Sequence, residues 1–123
     1  MAAIHNDVFD NGLSILNTLV ENLYICNADP GLTWSNLATM VVGTKATPTV
    51  SVPEDRIAGG RQVTVSAILD GVVDETDDAT HWALTDDSEE DILVSGELSV
   101  AQAVTEGNTF TLTAITIGIP DPE

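Results

Sequence analysis

The stretch that decides the fold is "ATHWALTDDSEEDILVSGEL", residues 79–98, in which two strand-like segments flank an acidic loop. In the first segment Trp82 and Leu84 fall on one face and His81 and Ala83 on the other, which is the period of two of a β-strand. The second segment, "DILVSGELS", also has the composition of a strand. The stretch therefore predicts two strands joined by a loop rich in carboxylates.

Similar patterns surround this stretch at a spacing of about ten residues, with turn signals between them. They are "NLYICNA", which "DPG" stops, then "TPTVSV", then "RQVTVSAIL", which "DG" at 70–71 closes, and finally "NTFTLTAITIGI". Such a series predicts a mainly β protein, an antiparallel β-sandwich that is Ig-like or a small barrel. The expected core residues, facing each other on two paired strands, are Trp82, Leu84, Phe110 and Leu112.

The N-terminal part carries the helical signals. Apolar residues at helix-compatible spacing predict a short helix over roughly Asn11–Val20. "TWSNLATMVVG" predicts a second one, with Thr33 as a possible N-cap and Gly43 at its end. We expect a single domain over residues 1–123, in which a helix and strand part (1–46) packs on a β-sandwich (47–119).

The last predicted strand switches its apolar face. Phe110, Leu112 and Ala114 share one side, whereas Ile115, Ile117 and Ile119 share the other. A strict period of two allows this only with a bulge or with burial on both faces. The second alternative makes the three isoleucines a candidate subunit interface.

The charge of the chain excludes several classes of partner. Of 123 residues, 20 are Asp or Glu and three are Lys or Arg, which gives a net charge of −17. Binding to nucleic acid or to anionic lipid requires clustered basic residues, so neither partner is expected. No signal peptide and no apolar run of about 20 residues are visible, so no membrane segment is expected.

The acidic loop is the first place to look for chemistry. Its carboxylates have no apolar neighbours in sequence, so we expect solvated anions rather than an acid–base pair. Calcium binding is the alternative, with Asp86, Asp87, Glu89 and Asp91 as candidate ligands, although the spacing is not that of an EF-hand. A second acidic group, which could converge on the first, comprises Asp70, Asp74, Glu75, Asp77 and Asp78.

No other motif indicates an active site. His5 and His81 have no Cys or His at metal-ligand spacing, and no nucleophile elbow or phosphate loop is present. Cys26 is the one cysteine, which predicts a buried thiol, with a disulfide between subunits as the alternative. We therefore expect no catalytic residue, no cofactor and no enzymatic activity.

Four segments together resemble a family of small virion structural proteins of tailed bacteriophages. They are "VFDNGLSIL…LYICNADP", "GRQVTVSAILDG", "ATHWAL…ILVSGELS" and "AVTEGNTFTLTAITIGIPDP", in which Gly107 or Asn108 would supply a positive φ. Members are variously described as head-decoration or tail-fibre-like proteins. The resemblance implies a non-enzymatic virion protein made in the host cytoplasm, and it transfers no catalytic residue.

Three functional hypotheses follow. The first is a capsid decoration or cement protein that binds itself and the major capsid protein, with a trimer suggested by that setting. The second is a neck, collar or tail-fibre component. The third is a glycan-binding β-sandwich that uses Trp34, Trp82 or Tyr24 to stack sugars.

Overall fold

The computed structural model describes residues 3–4, 12–57 and 59–119 of the chain. Within these ranges the chain forms ten β-strands and two short α-helices. In chain order they are β1 (Ala3–Ile4), α1 (Ser14–Leu19), β2 (Asn22–Cys26), α2 (Trp34–Met40), β3 (Val41–Ala46), β4 (Glu54–Asp55), β5 (Arg61–Val65), β6 (Ile68–Val73), β7 (Asp77–Asp86), β8 (Asp91–Val104), β9 (Thr109–Leu112) and β10 (Ile115–Ile119).

The strands form two antiparallel sheets. The larger has the strand order β1-β8-β7-β2-β3-β6-β9 and is curled, and the smaller has the order β10-β5-β4. One core cluster joins them, because it holds Leu84 and Phe110 of the larger sheet together with Val63 and Ile117 of the smaller. The predicted mainly β, antiparallel fold with short helices near the N-terminus is confirmed.

The N-terminal part is built into the sheet. Strands β2 and β3 lie in the middle of the larger sheet, between β7 and β6. The expectation that residues 1–46 pack on a sandwich made by residues 47–119 is therefore corrected. Cross-strand pairs such as Leu23 with Leu84 and Gly43 with Val73 supply the physical reason, since backbone hydrogen bonding unites the two parts.

The hairpin of β7 and β8 is covered on both faces. Trp82 and Leu84 lie in the main core, whereas Ala83 on the other face lies in a second cluster with Cys26, Leu37 and Ile92. Leu37 belongs to α2, so this helix covers the outer face of the sheet at that point. Burial on both faces explains why "DILV" reads as a continuous apolar run.

All four expected core residues are buried, with exposed fractions of 7% for Trp82, 0% for Leu84, 2% for Phe110 and 6% for Leu112. They do not lie on two paired strands, however. Strand β9 pairs with β6, whereas β7 pairs with β2 and β8. The pairing expectation failed because strand adjacency depends on long-range register, which local alternation does not contain.

The face switch near the C-terminus arises at a corner between the sheets. Val65 pairs with Ile115 in the smaller sheet and Ile68 pairs with Leu112 in the larger, so the same register continues through the corner. The residues at the corner, 66–67 and 113–114, are all exposed. Two consecutive outward residues invert the alternation in each chain segment. The segments 61–73 and 109–119 thus form one two-stranded ribbon that bends from one sheet into the other.

This corner corrects the proposed role of the three isoleucines. Ile117 is 6% exposed within the main core, and Ile115 and Ile119 are half-buried against it. They face the interior of their own chain because β10 belongs to the second sheet. The face switch therefore needs neither a bulge nor a partner subunit.

Two sites predicted to end a strand or a helix lie inside strands instead. Asp70 and Gly71 are part of β6, and Gly71 pairs with Phe110, whose ring atoms would lie 2.2 Å from a Cβ at position 71. Gly43 does not end α2, because the helix ends at Met40 and the chain continues directly into β3. Both glycines mark close packing rather than turns.

Of the remaining local predictions, those for the first helix and for the N-cap are met only in part, and that for the turn before β9 is met. Helix α1 is shorter than predicted, with Gly12 at φ +73° before it and Val20 extended after it, and Asn11 lies outside the described residues. Thr33 stands at the N-cap of α2 but makes no side-chain cap bond. The turn before β9 is as expected, with Gly107 at φ +87°.

Candidate functional site

The acidic turn lies at the tip of the β7–β8 hairpin. Residues 87–90 form the turn, which the amide of Glu90 closes by donating to the carbonyl of Asp87 over 3.2 Å. Asp86 and Asp91 face each other as the last cross-strand pair. The turn therefore projects from two long strands whose bases are fixed in the core.

Asp87 is held by two hydroxyl groups. The Tyr24 hydroxyl donates to Oδ2 of Asp87 over 2.6 Å, and the Thr85 hydroxyl donates to Oδ1 over 2.5 Å. Burial, followed by the hydrogen bond to Asp87, raises the pKa of the Tyr24 phenol above its ordinary value. Asp87 therefore fixes the base of the turn to β2, which is a structural use of a carboxylate.

Asp86 forms a carboxyl pair with Glu21, which precedes β2. Asp86 is 6% exposed, and this burial, followed by its hydrogen bond with Glu21, raises its pKa. Glu21 accepts a hydrogen bond from the Ser88 amide over 2.8 Å, and its interactions with Ser88 lower its pKa. The two carboxyl groups therefore have pKa values shifted in opposite directions, with that of Asp86 raised and that of Glu21 lowered. The expectation that every carboxylate of the loop is a solvated anion is wrong for Asp86, because tertiary contacts bury it.

The four candidate calcium ligands do not converge. Asp86 is directed to Glu21 and Asp87 to two hydroxyl groups, whereas Glu89 is exposed on the turn. Across the described ranges no group of three or more His, Cys, Asp or Glu side chains could hold a metal ion. Asp91, the fourth candidate, lies half-buried at the start of β8.

Asp77 of the second acidic group lies far from the acidic turn, and the members described below have other partners. Asp77 begins β7 and Asp86 ends it, so a strand of ten residues, about 30 Å long, separates them. Asp77 accepts a hydrogen bond from the Asn27 amide over 2.9 Å, which lowers its pKa. Asp70 pairs with Lys45 at 3.0 Å, and Asp74 accepts from Thr44 at 2.7 Å.

Cys26 packs in a buried cluster and His81 lies beside a hydroxyl group of its own strand. Cys26 is 0% exposed in the cluster beneath α2, and burial raises the pKa of its thiol to about 12. A disulfide between subunits would need an accessible thiol, so the burial of Cys26 contradicts that alternative. His81 is half-buried, with Nδ1 2.8 Å from the Thr80 hydroxyl. His5 lies outside the described residues.

Sequence reasoning missed a groove of about 460 Å³ between β8 and the bent ribbon. Trp82 and Leu112 contribute to its lining, and the Gln102 amide donates to the carbonyl of Thr111 over 3.3 Å. It exists because residues 98–101 of β8 bulge out opposite Thr80. The bulge contains no Gly, Pro, Asn or Asp, and Gly96, which leaves room for the Trp82 indole, is the nearest glycine to it.

Comparisons with known proteins add no identity. No protein-family model, no curated protein and no solved structure matches the chain. In the described part, no helix combines the length and apolar character needed to cross a membrane.

Proposed function

We propose that this chain is a non-enzymatic structural protein of a tailed-phage virion, and that it decorates the capsid by binding the major capsid protein and itself. The observation that carries the proposal is the structural use of the acidic turn. Asp86 and Asp87 anchor the hairpin to the half-buried residues Glu21 and Tyr24, while Glu89 and Glu90 stay exposed at its tip. The hairpin is thus a rigid arm that presents charge, which suits contact rather than turnover.

Charge supports a basic partner surface. A net charge of −17 and an exposed acidic tip favour a shell protein with a positive patch, and they oppose nucleic acid. Many identical contacts on one particle would add avidity to a modest interface. The sequence resemblance to phage virion proteins supplies the setting, and virion localisation rests on it.

Two experiments test this proposal. Quantitative mass spectrometry of purified particles is expected to find the chain in many copies, at a fixed ratio to the major capsid protein. A handful of copies would favour a neck, collar or tail-fibre component, and absence from particles would refute the virion setting.

The second experiment is co-sedimentation of the purified protein with undecorated particles. Replacing Glu89 and Glu90 by Gln is expected to weaken binding, as is raising the salt from about 0.05 to about 0.5 M. The matched control replaces Glu75 and Glu106, two exposed carboxylates outside the turn, by Gln. Equal loss in both variants would mean that net charge, and not the hairpin tip, mediates binding.

The aromatic residues give the glycan-binding alternative mixed support: Tyr24 and Trp34 line one cavity of about 280 Å³ beside α2, but each of the three has another role. Trp82 is 7% exposed, the Tyr24 hydroxyl is bound to Asp87, and Trp34 is half-buried against the cluster beneath α2. A glycan array with and without chelator tests it directly, and specific binding would raise this alternative above decoration.

A further inference from the structure

The outer edge of β10 differs from the other sheet edges. Among the described residues no strand pairs with it, although it is five residues long. The opposite edge of its sheet, β4, has two residues, both acidic, and β1 also has only two. At the β9 edge, the Gln102 side chain occupies the carbonyl of Thr111. Short length, acidic charge and covering side chains are the usual protections of sheet edges. Strand β10 is neither short nor acidic, and the one side chain that lies against it is that of Arg56, at Gly118.

The backbone groups at this edge can be assigned from the neighbouring strand. The Thr64 carbonyl accepts from the Ser51 amide, and the Thr64 amide donates to the Ser51 hydroxyl, each over 2.8 Å. Thr64 therefore directs its backbone away from β10, and its partner Thr116 forms a non-hydrogen-bonded pair with it. By the same alternation, the amide and carbonyl groups of Thr116 and Gly118 point to the open edge.

The charges beside β10 indicate which kind of partner can approach its open edge. Strand β10 contains no ionisable side chain, and its partner β5 contains Arg61 and no carboxylate. The Arg56 side chain lies across Gly118, since a Cβ there would be 2.7 Å from its Cδ. Two of the three basic residues of the chain therefore lie beside this strand. Arg61 is paired with Asp55 of β4 at 2.6 Å, but β10 and β5 themselves present no carboxylate to a second copy, which also carries a net charge of −17.

We propose that two copies of this chain associate through β10, in an antiparallel two-fold pair centred on Ile117. Thr116 of each copy then exchanges hydrogen bonds with Gly118 of the other, and the two smaller sheets become one continuous sheet. The pairing is self-complementary, as a two-fold interface requires. The inference rests on the proposed function for its setting, and it replaces both the buried isoleucine face and the three-fold arrangement as the mode of self-association.

Sedimentation equilibrium tests the pairing. At about 0.1 mM and above, the purified protein is expected to approach twice its monomer mass of 12.9 kDa, because an interface this small gives weak association. The dimer fraction should increase with salt, since salt screens the repulsion between the two acidic chains. In the same concentration range, the amide exchange of Thr116 and Gly118 should slow. A monomer at every salt concentration, or a trimer, overturns the proposal.

Two variants locate the interface. Thr116→Lys places two further cations at the seam beside Arg56 and is expected to weaken dimerisation about tenfold or more. Thr116→Pro removes the outward amide without touching the pairing with β5 and should act alike. The matched control is Thr111→Lys, which changes the same residue type to the same charge on another exposed edge position. Equal behaviour of Thr116→Lys and Thr111→Lys overturns the proposal.

These outcomes are separable from those of the proposed function. A chain that dimerises through β10 but is absent from particles refutes the virion setting alone. A chain that is abundant on particles but monomeric in solution, with unchanged decoration by Thr116→Lys, refutes the β10 interface alone.

Discussion

Replacing Gly71 by Ala tests the packing at the bend of the ribbon. The new Cβ would lie 2.2 Å from two ring atoms of Phe110, whereas carbon atoms in contact prefer about 3.5–4.0 Å. Gly71 and Phe110 are direct cross-strand partners, and Phe110 is 2% exposed, so neither can move away freely. Overpacking of this kind costs about 1–3 kcal/mol, and we expect a loss near 3 kcal/mol in the free energy of unfolding.

The assay is chemical unfolding followed by tryptophan fluorescence, completed as a double-mutant cycle with Phe110→Leu. The smaller side chain makes room for the methyl group, so the double variant should be more stable than the sum of the single effects predicts, by about 1 kcal/mol or more. Wild-type stability for Gly71→Ala would refute the reasoning. So would strict additivity, because it would mean that the clash with Phe110 is not the cause.

Three further predictions concern the candidate site. Burial raises the pKa of Tyr24 above its ordinary value near 10, so the stability that the neutral phenol contributes is complete below that pH and is lost as the pH rises through the folded-state pKa. Ultraviolet titration of this one tyrosine should show ionisation above the ordinary pH. Tyr24→Phe should lower the free energy of unfolding by about 1 kcal/mol, because it leaves Asp87 with one fewer donor. Cys26, with its thiol pKa raised to about 12, should react with a thiol reagent only on unfolding, and rapid reaction of the native protein would contradict its burial. Because the pKa of Asp86 is raised, its contribution to the free energy of unfolding is complete below pH about 3.9 and is lost as the pH rises through the folded-state value; the lowered pKa of Glu21 acts in the opposite direction. Asp86→Asn places an uncharged amide beside Glu21, so the stability of this variant relative to wild type should increase from pH 4 to 7. Parallel stability curves for the two proteins would count against the carboxyl pair.

The sequence predicts the elements of this fold better than their neighbours. Alternation located the strand that contains Trp82 and Leu84, because burial on one face imposes a period of two. It wrongly predicted that the strand of Phe110 pairs with the strand of Trp82, since pairing is decided between residues far apart in the chain. Asp70 and Gly71 form a turn signal, yet they lie in β6 because the Phe110 ring needs the missing Cβ. Tertiary contacts overrode local preference there.

The same limit applies to the acidic turn. Its location followed from the sequence, but the burial of Asp86 depends on Glu21, which lies far from it in the chain and carries no motif. The same is true of Tyr24 and Asp87, a hydrogen-bonded pair separated by 63 positions. Periodicity describes each strand alone, so contacts of this kind are beyond it.

The bent ribbon also determines how the molecule can open. Its two segments keep one register from Val65 and Ile115 to Ile68 and Leu112, so neither sheet can separate without breaking the ladder of the other. Slowly exchanging amides at Val63 and at Phe110 should therefore share one opening event, the unfolding of the whole molecule, instead of two independent local ones. On the particle surface proposed above, such a unit would withstand local fraying, because it responds to stress as a single cooperative body.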